Sequence, residues 1–184
     1  MPGPGEAVEQ ARVARERALV PLFAAFCLLL STVEYVIPKP LPFMRLGIAN
    51  LPLLLGVTLF SPRHYALLVL TKIIGMSLVS GTLFSYVFLF SFAGSAMSGL
   101  VMYSVKRVLG DHIGYIGVSV LGAAASNGIQ IVLAAAFVFG QSAILIAPPF
   151  LLSGMVTGIA MGVYAEHFQG KSRWFASLPG RLAA

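Results

Sequence analysis

The sequence predicts an all-α integral membrane protein with six transmembrane helices. Of its 184 residues, 58% are hydrophobic and 10% are charged, whereas a soluble domain is about 25% charged. The mean hydropathy is +0.92, and the apolar residues fall into six segments, most of them close to the ~20 residues that a bilayer requires. The net charge of +6 lies mainly in short loops and tails, where basic residues set topology, so it does not indicate nucleic-acid binding.

A cytoplasmic N-terminal helix is predicted within residues 1–18. Alanines follow one another there at intervals of four, three and four residues, which places small side chains on one face. These are Ala7, Ala11, Ala14 and Ala18. Small side chains let a second helix approach closely, so the pattern predicts a docking face for a partner. The alternative is a solvated helix made of good helix formers.

The membrane domain covers residues 19–166, and a basic cytoplasmic tail covers residues 167–184. The predicted spans are residues 18–37, 46–60, 65–83, 86–105, 115–139 and 148–164. The loop between the first two spans contains three alternating prolines and is expected to be extended and stiff. Cys27 is the one cysteine, which excludes a disulfide within the chain.

Lysine and arginine counts predict the orientation. Six spans place both termini on one side, and that side carries nine basic residues, which are Arg12, Arg15, Arg17, Arg63, Lys106, Arg107, Lys171, Arg173 and Arg181. The other side carries Lys39 and Arg45. Because positive residues remain inside, both termini are predicted to be cytoplasmic in a bacterial inner membrane.

Neither a catalytic site nor a metal site is indicated. His64, His112 and His167 fall in separate loops without ligand spacing, and Asp111 is the one aspartate. A loose nucleotide-loop pattern over residues 165–172 lacks the strand that such a loop follows. We therefore expect a non-enzymatic chain that binds no cofactor, with any ATP hydrolysed by partner subunits.

Glycines spaced four residues apart give the last span a small face. They are Gly154, Gly158 and Gly162. Such a seam predicts close helix packing, with a neighbour in this chain favoured over a partner protein.

Polar residues inside the spans predict a pocket. At about 1.5 Å per residue, Asn127 and Gln130 lie ~19 and ~24 Å from the cytoplasmic start of their helix, Asn50 lies at a similar depth, and the Lys72 stem can reach them. Three further residues are expected at the mouth of this pocket: Glu34, Tyr35 and Arg45. The alternative is hydrogen-bonded glue between helices, but a mid-span lysine favours a functional site.

Five blocks of sequence resemble a known family. RLGIANLPLLL, LVSGTLFS, SFAGSAMSGLVMYSVKR, IGVSVLGAAASNGIQ and LLSGMVTGIAMG occur in order between residues 45 and 165. They resemble the Gx transporter family, also called heptaprenyl diphosphate synthase component I. That family is similar to the substrate-binding S subunits of energy-coupling-factor (ECF) vitamin transporters. Those subunits have six helices, a gating first outer loop and a small-residue docking motif for a transmembrane coupling subunit, which two ATPases drive.

The resemblance implies site residues and also shows departures. It selects Arg45, Gly47, Asn50, Gly81, Gly122, Asn127 and Gln130. The family often has a histidine where this chain has Ser126 and an arginine where it has Lys72. These departures imply a ligand that differs from the family's usual one.

The expected function is capture of a small metabolite or vitamin-like ligand from outside by an importer subunit. Lys72 and Arg45 would favour an anionic group on that ligand. Two alternatives remain open, namely a membrane subunit that handles isoprenoids or quinones, and an accessory subunit for flavin- or quinone-linked electron transfer.

Overall fold

Helices make up nearly all of the computed structural model, which describes residues 4–38 and 47–172. The α-helices in these ranges are α1 (Pro4–Val36), α2 (Leu51–Gly56), α3 (Pro62–Val79), α4 (Tyr86–Leu109), α5 (Tyr115–Ala134) and α6 (Ala143–Lys171). A 3-10 turn, Ile48–Asn50, leads into α2. The described residues contain no strand, so the all-helical class is confirmed.

Three stretches of the described residues are long and apolar enough to cross a membrane. They are Glu9–Val36, Tyr86–His112 and Tyr115–Lys171. The third contains 57 residues, and as one straight helix it would be roughly 85 Å long, far more than the ~30 Å core of a bilayer. It contains two helices, α5 and α6, because the chain turns at Gly140, whose φ is 55°. The structure therefore shows an all-helical chain with stretches long and apolar enough to span a membrane, but a count of six spans is not supported.

The predicted second span, residues 46–60, is the clearest departure. Regular helix covers Ile48–Asn50 and Leu51–Gly56 there, which together extend roughly 15 Å, about half of a bilayer core. Every residue of α2 is buried inside the protein. A helix that is apolar on all sides is one that the protein itself surrounds, so the hydrophobicity of this segment reflects a protein core.

Helix α3 covers most of the predicted third span but is not among the three apolar stretches. Arg63 and His64 lie in its first turn, and the charged Lys72 lies in its middle. Helix α1 passes through residue 18 without a break and includes Pro21, so the N-terminal helix and the first span form one continuous helix.

The long helices pack mostly against helices that are close to them in sequence, and the short helix α2 lies among them. Helices α5 and α6 share the largest interface, followed by α4 with α5 and α1 with α3. Helix α2 contacts α1, α3, α5 and α6. Its leucines Leu53, Leu54 and Leu55 are at most 5% exposed and join the main hydrophobic core. This arrangement holds the adjoining 48–50 turn in the interior, beside the polar residues of four helices.

Candidate functional site

Lys72 lies in the interior of the helix bundle, with 5% of its surface exposed. Its ammonium donates hydrogen bonds to Asn50 Oδ1 and, at 3.3 Å, to Ser95 Oγ. A lysine at the centre of a membrane helix costs about 2.5–3.5 kcal/mol on insertion scales. Polar partners from α4 and the 48–50 turn therefore surround the charge that the sequence places in mid-span.

Glu34 is 1% exposed and holds the segment before α2. Its two carboxylate oxygens accept hydrogen bonds from the backbone N–H groups of Gly47 at 3.3 Å and Ala49 at 3.2 Å. Gly47 has a φ of 85°, a conformation that glycine adopts without strain. The sequence predicts Glu34 at the mouth of a pocket, but the structure places it inside the protein. There it joins α1 to the 48–50 turn.

Helix α5 contributes two amides to the same interior. Gln130 Nε2 donates to Ser126 Oγ at 3.0 Å, and Gly94 on α4 leaves the room that this amide occupies. Asn127 Nδ2 donates to the Phe150 carbonyl of α6 at 2.7 Å. Within the described part of the chain, three buried side-chain atoms have no hydrogen-bond partner: Gln130 Oε1 and Ser31 Oγ at this site, and Tyr65 Oη elsewhere. Buried polar atoms are rarely left unsatisfied, so the two atoms at this site point to a water or a ligand group.

Two small cavities meet at the 48–50 turn, and each leaves about 20 Å³ of water-sized space. The first, here called the lysine cavity, is lined by Ser31, Glu34, Lys72, Met76, Ser95 and Gln130. The second, here called the serine cavity, is lined by Ser98, Met102, Ser119, Asn127, Thr157 and Met161. Gly47, Asn50 and Ser126 line both. Each space is enough for about one water molecule, so a metabolite enters only after the protein moves.

Of the two remaining predicted pocket residues, Tyr35 and Arg45, the structure describes the first. Tyr35 is 58% exposed and lines neither cavity, and Arg45 is outside the described residues. Ser31, Ser95, Ser98 and Ser119 are the lining serines that the sequence did not predict, whereas Ser126 was noted as a departure from the family. Ser95 and Ser98 are three residues apart, and Ser119 and Ser126 are seven apart, spacings that place each pair on one helix face. This spacing is the feature of the sequence from which the serines could have been predicted as lining residues.

The small-residue faces differ in their surroundings. Gly158 packs against α5, where an added Cβ would lie 3.2 Å from Val120 Cα. A Cβ added at Gly162 or Gly154 would lie still closer to Ile116 or Asn127. This seam joins α5 and α6 within the chain. On α1, Ala11, Ala14 and Ala18 are exposed, and the side chain of Ala7 is outside the described set.

A second polar cluster ties α1 to the start of α3. Glu16 is 4% exposed and accepts hydrogen bonds from Ser61 N at 2.9 Å and Ser61 Oγ at 2.6 Å. His64 Nδ1 lies 2.7 Å from Glu16 Oε2, and Arg12 Nε donates to Oε1 at 3.0 Å. This places His64 in a structural network, and no three His, Cys, Asp or Glu residues in the described ranges are grouped to hold a metal ion.

Comparison with known families gives a match, and it covers the part of the chain that contains the site. The family model for heptaprenyl diphosphate synthase component I matches residues 23–168 of the 184. The matched range contains both cavities and their lining residues. No curated protein and no solved structure matches the chain.

Proposed function

The chain belongs to the family described as heptaprenyl diphosphate synthase component I, the Gx transporter family, and on that premise we propose that it is the substrate-binding subunit of an importer of the ECF type. It captures a small metabolite from outside the cell within the membrane. It performs no chemistry of its own, and partner ATPases supply the energy. A transmembrane coupling subunit connects those ATPases to this chain.

One observation carries the proposal: a buried lysine and two unsatisfied polar atoms line one small interior cavity. Lys72 is 5% exposed, and Gln130 Oε1 and Ser31 Oγ are buried without a hydrogen-bond partner among the described residues. Ligand sites combine a cleft or cavity with a few polar groups that fix orientation. Glue between helices would satisfy these atoms within the protein, because leaving one buried and unpaired costs about 1–3 kcal/mol.

The residues also favour binding over synthase chemistry. Prenyl transfer requires Mg²⁺ on clustered carboxylates, and the whole chain has one aspartate, Asp111. Asp111 is exposed and lies 3.5 Å from Lys106 Nζ. The family description therefore suits a protein associated with such an enzyme better than the enzyme itself.

The membrane arrangement that we propose has six crossings and two cytoplasmic termini. Helices α1, α4, α5 and α6 are the long apolar crossings, and α3 is a fifth whose charge faces the interior. Residues 47–60 complete a sixth crossing as a short segment buried in the bundle. The nine-to-two excess of basic residues supports this orientation.

The exposed alanines of α1 support a docking role. Ala11, Ala14 and Ala18 are exposed and follow α1 at helical spacing, so a helix of the coupling subunit can approach the backbone closely. A shallow hollow lined by Gln10, Val13, Ala14 and Arg17 lies on this part of the helix.

Native mass spectrometry of the protein, purified in mild detergent, tests ligand capture. We expect a bound small molecule on the native protein and its loss from Lys72→Met, which keeps the side-chain length and removes the charge. Leu70→Met is the matched control, because Leu70 is 46% exposed on the same helix. Retention of the compound by Lys72→Met, or absence of any compound from the native protein, contradicts the proposal.

A second candidate, isoprenoid handling, is favoured by an apolar groove on the bundle surface. Its volume is about 180 Å³, and all its lining side chains are apolar: Leu22, Phe23, Phe26, Pro52, Leu55 and Phe168. A co-purifying compound with an isoprenoid mass, retained in Lys72→Met and lost in Phe26→Ala, would favour this function over metabolite capture.

A further inference from the structure

The two cavities lie in series along the bundle. Gln130, in the lysine cavity, is four residues from the end of α5, and Ser119, in the serine cavity, is four residues from its start. At 1.5 Å per residue, these two side chains lie about 16 Å apart along the helix axis. Polar lining therefore extends over more than half of the ~30 Å depth of a bilayer core.

Asn50 is one of three residues that line both cavities, with Gly47 and Ser126, and its side chain bonds to both sides. Its Oδ1 accepts from Lys72 in the lysine cavity, and its Nδ2 donates at 3.5 Å to Ser98 in the serine cavity. The second of these bonds is long, so it is weak. Asn50 belongs to a turn that Glu34 holds through two backbone N–H groups. Gly47 and Asn50 belong to this segment, so its shift would move two of the three residues shared by the cavities and widen the connection between them.

A second barrier lies beyond the serine cavity. Tyr115, the first residue of α5, is buried and its hydroxyl lies 3.1 Å from Thr58 Oγ1. Lys106 of α4 places its Nζ 5.7 Å from the centre of the Tyr115 ring. Under the proposed orientation this barrier faces the cytoplasm. The order along the bundle is thus lysine cavity, Asn50, serine cavity, Tyr115.

From this order we infer that the chain itself contains the route by which the substrate crosses the membrane. Asn50 is the inner gate, and the Tyr115–Thr58 contact is the exit gate. This goes beyond capture, because a capture subunit needs a single cavity that opens outward. Small lining residues, among them Ser98, Ser119 and Gly158, keep the second cavity open where packing helices would close it.

The charges along the route define the class of substrate. The lysine cavity has one acidic and one basic side chain, Glu34 and Lys72, whereas the serine cavity is lined by hydroxyls, two amides, thioethers and small residues. A substrate with a net charge would leave the charged side chains of the lysine cavity when it moved into the serine cavity. Its charge would then be unpaired in a low-dielectric interior, which is costly. The substrate is therefore a small polar molecule without net charge, either uncharged or zwitterionic.

Thiol accessibility in oriented membrane vesicles tests the route without any knowledge of the ligand. The background is Cys27→Ala, since Cys27 is the one cysteine and is fully buried. Ser119→Cys reports on the serine cavity, and Leu121→Cys, 43% exposed on the same helix, is the matched control. The probe is a small, membrane-impermeant methanethiosulfonate applied to right-side-out vesicles, and intact-protein mass spectrometry measures modification.

Removing the inner gate should admit the probe. We expect Asn50→Ala to increase the modification rate of Ser119→Cys at least about tenfold, with the Leu121→Cys rate unchanged. Lys72→Met removes the other half of the gate contact and should act in the same direction, which keeps the test valid if Asn50→Ala does not fold. Tyr115→Ala should increase modification from the opposite side, in inside-out vesicles.

Failure of this inference is distinct from failure of ligand capture. If Ser119→Cys remains as slow in both folded gate variants as with the native gate, the serine cavity is a packing defect and the route is refuted. Ligand capture at Lys72 is tested separately, by native mass spectrometry of the Lys72→Met variant. Equal acceleration at Leu121→Cys would also refute the route, because it would indicate general loosening of the bundle.

Discussion

Replacing Glu34 with glutamine should destabilise the protein through the 48–50 turn. The carboxylate accepts two backbone N–H groups at 3.3 and 3.2 Å, and a glutamine amide has one acceptor oxygen in place of two. One N–H then faces an NH2 group, and the other loses its charged acceptor. Hydrogen bonds to charged groups contribute about 1.5–3 kcal/mol each. We therefore expect Glu34→Gln to lower the free energy of unfolding by about 3 kcal/mol.

Unfolding in mixed micelles, titrated with sodium dodecyl sulfate, measures this change. Thr32→Val is the control, because the Thr32 hydroxyl is exposed and bonds to Leu28 O in its own helix, and such changes usually remain within about 0.5 kcal/mol. Hydrogen exchange at the Ala49 amide supplies a local measurement and should accelerate in Glu34→Gln alone. A loss below about 0.5 kcal/mol with unchanged Ala49 exchange would refute the assigned role of Glu34.

Three further predictions concern the ligand, the partner and the topology. Asn127→Leu should weaken binding of the co-purified compound at least about tenfold, roughly 1.4 kcal/mol, in an equilibrium titration; unchanged affinity would make this amide structural. Ala14→Leu combined with Ala18→Leu should abolish co-purification of the coupling subunit and preserve ligand binding. If the complex survives, the alanines only favour helix formation and do not form a docking face. Cysteine at Lys39 should react with an impermeant reagent in intact cells and cysteine at Arg107 should not; the reverse pattern would invert the orientation.

Hydropathy predicts the long helices well and the interior segment poorly. Helices α4 and α6 cover their predicted spans, and α5 covers residues 115–134 of the predicted 115–139. Long apolar runs near bilayer length have few other structures available. The segment of residues 46–60 is equally apolar, yet its helix is short and fully buried in protein. Hydropathy reports removal from water, and it does not distinguish burial in lipid from burial among other helices.

The polar site was predictable in part from depth alone. Helical rise places Asn127 and Gln130 at the level of Asn50. In the structure, Gln130 and Asn50 line one cavity together with Lys72. Glu34 lies inside because the 48–50 turn folds back onto α1, a tertiary contact that no local pattern encodes. The lining serines escaped prediction because hydroxyls of this spacing are also common as glue between membrane helices.

A crystal structure of the protein with its co-purifying compound tests substrate capture most directly. We predict non-protein density in an enlarged lysine cavity, within hydrogen-bond distance of Lys72 Nζ and of the Gln130 amide, with the compound carrying no net charge. Closed packing around Lys72, with Gln130 Oε1 bonded to protein atoms and the compound bound elsewhere, would contradict the account.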